Sequence, residues 1–431
     1  ERHASARGTT WSMSTSEAAS RARDAARRRA RTARRKVGPV ARRGARLTRD
    51  GLLREYYRAE LRRPVDPTLA VYAAYWYRGY SCNPAAIYEV ARRLAPGVRG
   101  VWVVRRDRVE AVPAGVEYVV AGTPAYYRVL ARARWLVNNV NFPDFVRKRP
   151  EQVHVQTHHG TPVKVMGLDQ QRHPIGAGRM DFAGLLRRVD RWDYSVSANS
   201  FSTQMWDRAY PATYTTLEVG YPRNDRLVTA GPDEVRRLRA EFGLDPDEQV
   251  VLYAPTHREH LPGYRPPFDP DRFVQALGDS GRLLMRSHYF HDRDRRPGQP
   301  RDWERVRDVS GHQRVEDLYL VADVLVTDYS SAMFDYAVLD RPIVLYTPDW
   351  EAYRLARGVY FDVTAEPPGA VASTFADLLD VFRTDGVRSD AATKAREHFR
   401  ARFCTLDDGR AAERVVRRVF LGEPDERSTR C

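Results

Sequence analysis

Four groups of polar residues that could do chemistry each follow an apolar run that predicts a β-strand. In the first group, the run at 153–157 leads into the turn His158-His159-Gly160-Thr161-Pro162. A histidine that is neutral near pH 7 can take a proton from a hydroxyl, and a protonated one can neutralise a phosphate. The glycine lets the backbone approach a ligand closely because it has no Cβ. We therefore interpret this turn as a candidate general-base site; the alternative is a purely structural histidine.

Two further runs, at 250–254 and 283–286, end beside basic residues. The first leads to His257 and Arg258, and the second leads to His288. A separate tract, GYPRND, places Arg223 at a predicted helix start, where a planar guanidinium suits bidentate phosphate binding. Arg258 and Arg286 have the same capacity. Together these residues predict an anion site at strand ends that face one cleft.

The fourth group lies in the stretch VLVTDYSSAMFDYAVLDRPIVLYT at 324–347, whose pattern predicts a strand, a helix and a second strand. Ser330 and Ser331 fall where the first strand gives way to the helix, a place where hydroxyls and free backbone N–H groups bind phosphate. Asp335 follows one helical turn later on the same face, where its carboxylate can accept from a hydroxyl. The alternative is an ordinary capped helix with a solvated Asp.

Several common chemistries are disfavoured by what the sequence lacks. There is no GxGxxG motif, no GxxxxGK[ST] motif and no His/Cys/Asp cluster with metal-ligand spacing. The three cysteines, Cys82, Cys404 and Cys431, are far apart and show no CxxC spacing, so we expect free thiols. We therefore predict phosphate recognition without a bound metal and without a tightly bound cofactor.

Alternating strand and helix patterns favour an α/β fold with parallel sheets, and 431 residues exceed one comfortable core. We predict a basic arm at 1–63, a Rossmann-like domain on the acceptor side at 64–230, a connector at 231–248, a second Rossmann-like domain that binds the donor at 249–390, and a helical tail at 391–431. Ligands of such sheets bind beyond the carboxyl ends of the strands. The fold therefore brings the four polar groups towards one cleft.

The positive charge is concentrated on the arm. Residues 1–63 hold 19 Lys and Arg against 6 Asp and Glu, a net +13 of the chain's +15, which leaves about +2 for the rest. The near-neutral remainder disfavours a nucleic-acid-binding surface on the folded body. The arm suits an anionic surface, for which lipid headgroups, an acidic polymer and RNA are the alternatives; we expect a membrane surface and no nucleic-acid partner. No window approaches the roughly 18 apolar residues of a membrane span, so we expect a soluble or peripheral protein. Because the first residue is Glu, we also expect that the sequence could be a fragment.

Five segments together resemble the CDP-glycerol glycerophosphotransferase family, the teichoic acid primases and polymerases: QTHHGTPVK, GYPRND, YAPTHRE, RSHYF and VTDYSSAMFDYAVLDRPIVLYTPDWEAYRLARGVYFD. The resemblance extends over roughly residues 69–362. It implies a GT-B fold, two Rossmann-like domains facing a cleft, at the cytoplasmic face of the cell membrane. The chain departs from the family pattern at His158 and His257, where Trp is usual, and at Tyr289, where Pro is usual.

The resemblance also implies roles for individual residues. His159 resembles the family's proposed catalytic base, and His288 resembles its second essential histidine. Donor or phosphate binding is expected at Gly160, Thr161, Pro162, Arg223, His257, Arg258, Ser330, Ser331 and Asp335, and contact with the cytosine at Val309 and Ser310. The implied reaction moves glycerol phosphate, or a related polyol phosphate, from CDP-glycerol to a hydroxyl of a lipid-linked acceptor or growing polymer and releases CMP.

Three alternatives remain beside this hypothesis. A CDP-ribitol donor would use the same cleft, and a GT-B glycosyltransferase would use a sugar nucleotide and react at a sugar carbon. A non-enzymatic module would bind an anionic surface through its arm, but such a module would be expected to have lost the histidines or serines, and both are present. The pattern leaves oligomeric state, and the choice between priming and polymerising, open.

Overall fold

A computed structural model describes residues 49–173, 177–178, 180–256, 267–286 and 305–424. The chain divides after Arg62 into two compact units. In the first unit, residues 49–60 form a helix. The second unit contains both sheets. His257, Arg258 and His288 lie outside the described residues.

The first sheet has seven parallel strands in the order β3-β2-β1-β4-β5-β6-β7. Its strands are β1 (Asp66–Ala73), β2 (Arg99–Val104), β3 (Tyr118–Val120), β4 (Ala133–Asn138), β5 (Val153–Gln156), β6 (Tyr194–Ser197) and β7 (Thr215–Glu218). The helices among them are Cys82–Leu94, Pro124–Arg132, Phe182–Val189 and Ser200–Ala209, followed by Asp225–Thr229. Because all strands are parallel, their carboxyl ends meet at one edge.

The second sheet has six parallel strands in the order β10-β9-β8-β11-β12-β13. Its strands are β8 (Gln249–Tyr253), β9 (Gly281–Met285), β10 (Val306–Asp308), β11 (Val324–Thr327), β12 (Ile343–Tyr346) and β13 (Ala370–Ala372). Its helices are Pro270–Ala276, Val315–Val321, Ala332–Ala337, Trp350–Arg357 and Phe375–Arg383, and the helix Pro232–Glu241 precedes β8. The predicted α/β class with two parallel sheets is confirmed.

The central strands could be predicted from the sequence because they are buried on both faces. Every residue of β11 and β12 is buried, as expected for parallel strands covered by helices on both faces. Val324, Leu325 and Val326 are fully buried within the hydrophobic core of the second sheet. Near-continuous apolar runs are the sequence signature of this arrangement.

Two helices at the end of the chain pack on different cores. The helix Asp390–Phe403 places Phe399 and Phe403 in a core of the second sheet, and the helix Ala411–Val419 places Val415 and Val416 in the core of the first. The Asp225 carboxylate accepts from Ala411 N at 2.9 Å and from Ala412 N at 2.8 Å, which caps the last helix. The chain thus crosses back to the first sheet.

Among the residues that the structure describes, no helix combines the length and the apolar character needed to cross a lipid bilayer.

Candidate active site

The histidine turn begins where β5 ends, at the carboxyl edge of the first sheet. Thr157 N donates to Asn138 O at 2.9 Å, so the turn leaves the sheet beside the end of β4. His158 has φ +49° and Gly160 has φ +144°, two values in the region that L side chains rarely adopt. The backbone is therefore strongly bent on both sides of His159.

His158 is held inside the first domain. Its ring is buried and stacks on Trp206, with centroids 4.2 Å apart and 4° between the planes, and its Nε2 lies 3.0 Å from Ser195 Oγ. At this position, where the family pattern has Trp, the chain keeps a flat ring in an aromatic stack. His158 therefore anchors the turn and leaves the next histidine to face the cleft.

His159 is oriented by a backbone carbonyl. Its Nδ1 lies 3.0 Å from Asn139 O, and its ring meets Tyr75 edge-on at 5.5 Å. A carbonyl oxygen only accepts, so Nδ1 carries the hydrogen, and the neutral ring keeps a free lone pair on Nε2. The pKa of His159 is lowered to about 4, chiefly by burial, with the charges of Arg223 and Lys164 adding to the effect and the bond to Asn139 opposing it. At neutral pH the ring is therefore uncharged and able to accept a proton.

Gly160 lies directly against Ser331 of the second domain. A Cβ on Gly160 would lie 2.4 Å from Ser331 Oγ and 2.6 Å from Ser331 Cβ, distances that real Cβ atoms essentially never show. The same Cβ would lie 3.3 Å from an Arg223 Nη. Glycine is thus required for both its backbone conformation and its small size, and it brings the His159 turn directly against the DYSS segment.

The DYSS segment follows β11 and opens the helix Ala332–Ala337. Ala332 N donates to Ser330 Oγ at 3.2 Å, and Thr256 N donates to Asp328 Oδ1 at 2.7 Å, which ties the segment to the end of β8. Within the described chain, the Ser331 side chain makes no capping bond. Its hydroxyl is accordingly available in the cleft.

A buried ion pair joins the two domains beneath this contact. An Arg223 Nη lies 2.5 Å from Asp335 Oδ2, and both side chains are at least 95% buried. The backbone of Arg223 is fixed by Asn83, which accepts its N–H at 3.1 Å. Burial raises the pKa of Asp335 to about 6, and the adjacent guanidinium limits that rise. Asp335 therefore contacts an arginine from the first domain.

These elements line one cavity of about 240 Å³ between the two sheets. Six of the predicted site residues lie on it: His159, Arg223, Ser310, Ser330, Ser331 and Asp335. Arg286 also lines the cavity, and one of its Nη atoms donates to His312 O at 2.8 Å. The cavity thus combines a neutral histidine, two serine hydroxyls and several guanidinium groups, the chemistry of a site for a phosphorylated ligand.

Three predicted residues have other surroundings. Thr161 is buried and accepts from Ser202 Oγ at 3.1 Å, Pro162 is also buried, and Val309 packs in a hydrophobic core of the second sheet. They support the walls of the site without lining the cavity. Of the two residues expected to contact the cytosine, Ser310 lines the cavity and Val309 packs in the hydrophobic core.

Several lining residues were missed by sequence reasoning. Tyr75, Cys82, Arg78 and Arg108 come from the first domain, and Glu316 comes from the helix Val315–Val321. Glu316 is 5% exposed, and its Oε1 has no hydrogen-bond partner in the described structure. The signal for Glu316 was a carboxylate in the first turn of a helix that follows Ser310, but only packing shows that it faces the cleft.

Potential metal ligands are not clustered in the described part of the chain. Among those residues, no three His, Cys, Asp or Glu side chains are grouped so that they could hold a metal ion. Cys82 is buried and Cys404 half-buried, both as free thiols.

Comparison with known proteins places the chain in a family. The family model described as CDP-glycerol:poly(glycerophosphate) glycerophosphotransferase matches residues 55–421. The chain is similar to the teichoic acid poly(glycerol phosphate) polymerase of Bacillus subtilis, with 32% identity over 374 residues, and covers 50% of that protein and 84% of its own length. It therefore spans half the length of this relative.

A second relative is nearly the same size. The teichoic acid glycerol-phosphate transferase of Staphylococcus aureus is 32% identical over 375 residues, which cover 82% of this chain and 93% of the relative. Among solved structures, the wall teichoic acid polymerase TagF, in a His-to-Asn variant soaked with CDPG, superimposes with a TM-score of 0.76 at 28% identity, covering 86% of this chain and 93% of TagF. The predicted GT-B arrangement is confirmed by this match. The chain belongs to the CDP-glycerol:poly(glycerophosphate) glycerophosphotransferase family.

Proposed function

We propose that this protein transfers glycerol phosphate from CDP-glycerol to a hydroxyl at the end of a growing, lipid-linked glycerol phosphate polymer and releases CMP. The observation that carries the proposal is His159, a neutral imidazole fixed through Nδ1 to Asn139 O, in a cavity with two serine hydroxyls and guanidinium groups. The family match and the two similar teichoic acid enzymes support the choice of donor and acceptor.

The reaction is a displacement at phosphorus. Nε2 of His159 takes the proton of the acceptor hydroxyl while the acceptor oxygen forms a bond to the phosphorus that carries glycerol. The bond from that phosphorus to the bridging oxygen breaks, and its electron pair leaves with CMP. Little covalent chemistry is asked of the protein, so the rate depends on positioning and on charge around the diphosphate.

The charge of the cavity fits a diphosphate. Its lining includes the cations Arg78, Arg108, Arg223 and Arg286 and the carboxylates of Glu316 and Asp335, the last of which is paired with Arg223. A net of about +2 then faces a donor whose diphosphate carries two negative charges. Ser330 and Ser331 can donate hydrogen bonds to the phosphate oxygens.

Other parts of the proposal rest on the family resemblance. We assign His288 to neutralisation of the CMP leaving group, and His257 and Arg258 to donor binding. We also propose the domain division at 64–230, 231–248, 249–390 and 391–431, and binding of residues 1–63 to anionic lipid at the inner face of the cell membrane. The concentration of basic residues in that segment supports the last of these.

The direct test is donor choice. Purified protein is incubated with a short glycerol phosphate acceptor and, separately, CDP-glycerol, CDP-ribitol or a UDP-sugar, and the acceptor mass is followed. We expect a mass increase of one glycerol phosphate per step with CDP-glycerol and much slower extension with the other two. Preferential extension by CDP-ribitol or by a sugar would overturn the proposal.

A further inference from the structure

His159 lines two cavities. Besides the one described above, it lines a second cavity of about 720 Å³, within the range of about 300–1,000 Å³ that is common for ligand sites. Most of this second cavity is built by the first domain, and Arg357, from the helix Trp350–Arg357 of the second domain, also lines it. A base must face the donor and the attacking group at once, so the second cavity is where the attacking group can enter.

Two asparagines after β4 line this cavity, and their side-chain amides are held in one orientation. Asn139 Oδ1 accepts from Tyr75 N at 2.9 Å, and Asn141 Oδ1 accepts from Trp192 Nε1 at 3.2 Å. Both partners can only donate, so each amide is oriented with its oxygen turned to the protein. Asn139 is 1% exposed, and its Nδ2 has no hydrogen-bond partner in the described structure. A buried N–H donor without a partner is costly, which points to a ligand that accepts from it.

The charged residues of the second cavity are mainly cationic. Lys164, Arg188 and Arg357 line it together with one carboxylate, Asp144, which lies 2.7 Å from Arg188. The Lys164 segment is held beside Arg357 because Val165 N donates to Gly358 O at 3.1 Å. The cavity therefore offers N–H donors and a net of about +2, and it suits a ligand rich in oxygen acceptors and negative charge.

We propose that the second cavity holds the end of the acceptor chain, with Asn139, Lys164 and Arg357 binding the phosphodiester next to the attacking hydroxyl. A polyol phosphate chain carries hydroxyl oxygens and one negative charge per repeat, which matches this lining. Asn139 has two roles: its carbonyl orients His159, and its side-chain amide contacts the acceptor. Binding of the acceptor is thereby tied to the orientation of the base. This inference rests on the proposed function and adds the residues that select the acceptor.

The test uses substitutions that preserve the internal contacts. Asn139→Asp keeps the oxygen that accepts from Tyr75 and replaces the Nδ2 donor with an acceptor, and Arg357→Gln removes the cation. Arg354→Gln is the matched control, because Arg354 lies on the same helix and forms an exposed ion pair with Glu351. Initial rates are measured against acceptors with one and with three glycerol phosphate repeats at saturating CDP-glycerol, and against CDP-glycerol at saturating acceptor, in about 0.15 M salt.

We expect Asn139→Asp and Arg357→Gln to raise the acceptor KM at least fivefold, with the donor KM within twofold of the parent value. The control should match the parent for both substrates. Acceptor KM values within twofold of the parent in both variants would overturn this inference.

Failure of the proposed function has a different signature, because the parent itself would then extend neither acceptor. In that case, calorimetric binding of the three-repeat acceptor decides the inference: binding that Arg357→Gln weakens and Arg354→Gln does not supports it, and no binding or equal binding overturns it.

Discussion

Replacement of Gly160 by Ala tests whether the close contact between the two domains sets the geometry of transfer. The new Cβ would lie 2.4 Å from Ser331 Oγ, and ordinary van der Waals contact begins at 3.4 Å. Ser331, or the histidine turn, must therefore move by about 1 Å. The backbone φ of +144° adds a strain of about 1–3 kcal/mol for any residue with a Cβ.

The expected cost to the rate follows from that displacement. A misplacement of about 1 Å in a preorganised site lowers the rate by about 10²-fold, because the base and the phosphate contacts no longer fit one transition state. Gly115→Ala is the matched control: Gly115 has φ +79°, and a Cβ added there would meet no atom within 4 Å. That variant should carry a similar backbone strain without the contact at the site.

Both variants are assayed by CMP release with saturating acceptor and by thermal unfolding. We expect both proteins to melt a few degrees below the parent, by about 2–4 °C per kcal/mol. Only Gly160→Ala should lose about 10²-fold in rate. A Gly160→Ala protein that transfers within threefold of the parent rate would refute the argument that this contact aligns the site.

Four further predictions concern the base, the phosphate contact and the arm. His159→Ala should lower the rate by about 10²–10⁴-fold while calorimetric CDP-glycerol affinity stays unchanged, and a variant that melts normally at near the parent rate would exclude His159 as the base. Because protonation blocks a base and the pKa of His159 is lowered to about 4, the acid loss of kcat/KM should fall closer to pH 4 than to the usual 6.5; a midpoint at 6.5 would contradict this. Ser331→Ala should weaken CDP-glycerol binding by about 1.5–3 kcal/mol, checked by calorimetry, and unchanged affinity would place the phosphate elsewhere. Removal of residues 1–63 should abolish salt-sensitive binding to anionic vesicles, and equal sedimentation with vesicles by both proteins would disprove this role of the arm.

The parts of the fold that could be predicted from the sequence are those with a local signal. The strands Val153–Gln156 and Gln249–Tyr253 lie within one residue of the apolar runs at 153–157 and 250–254 that predicted them. The strand Ala370–Ala372 was missed because three residues at a sheet edge carry no periodicity. The helix Ser200–Ala209 was also missed, because its buried face consists of Ser202, Trp206 and Ala209, which is not the broad apolar stripe that predicts a helix.

The sequence indicated which residues belong to the candidate site, but it did not indicate which of them contact each other. His159 and Ser331 were predicted as site residues because each follows a predicted strand, and parallel sheets bring the carboxyl ends of their strands to one edge. The same reasoning gave Asp335 to a ligand hydroxyl, whereas the structure pairs it with Arg223, which is 112 residues earlier in the chain. Pairings of this kind depend on how two domains pack, and no local pattern encodes them. The Asn139 Nδ2, which has no hydrogen-bond partner among the described residues, could not be predicted for the same reason.

The most direct test of the central claim follows the fate of both halves of the donor. CDP-glycerol labelled separately in the cytidine and in the glycerol is incubated with the protein and a glycerol phosphate acceptor, and the products are separated. Attack at phosphorus predicts that one CMP appears for each labelled glycerol phosphate added to the acceptor, with no cytidine label in the polymer. Release of CDP, with glycerol transferred without its phosphate, would show that the cleft reacts at carbon and would contradict the account.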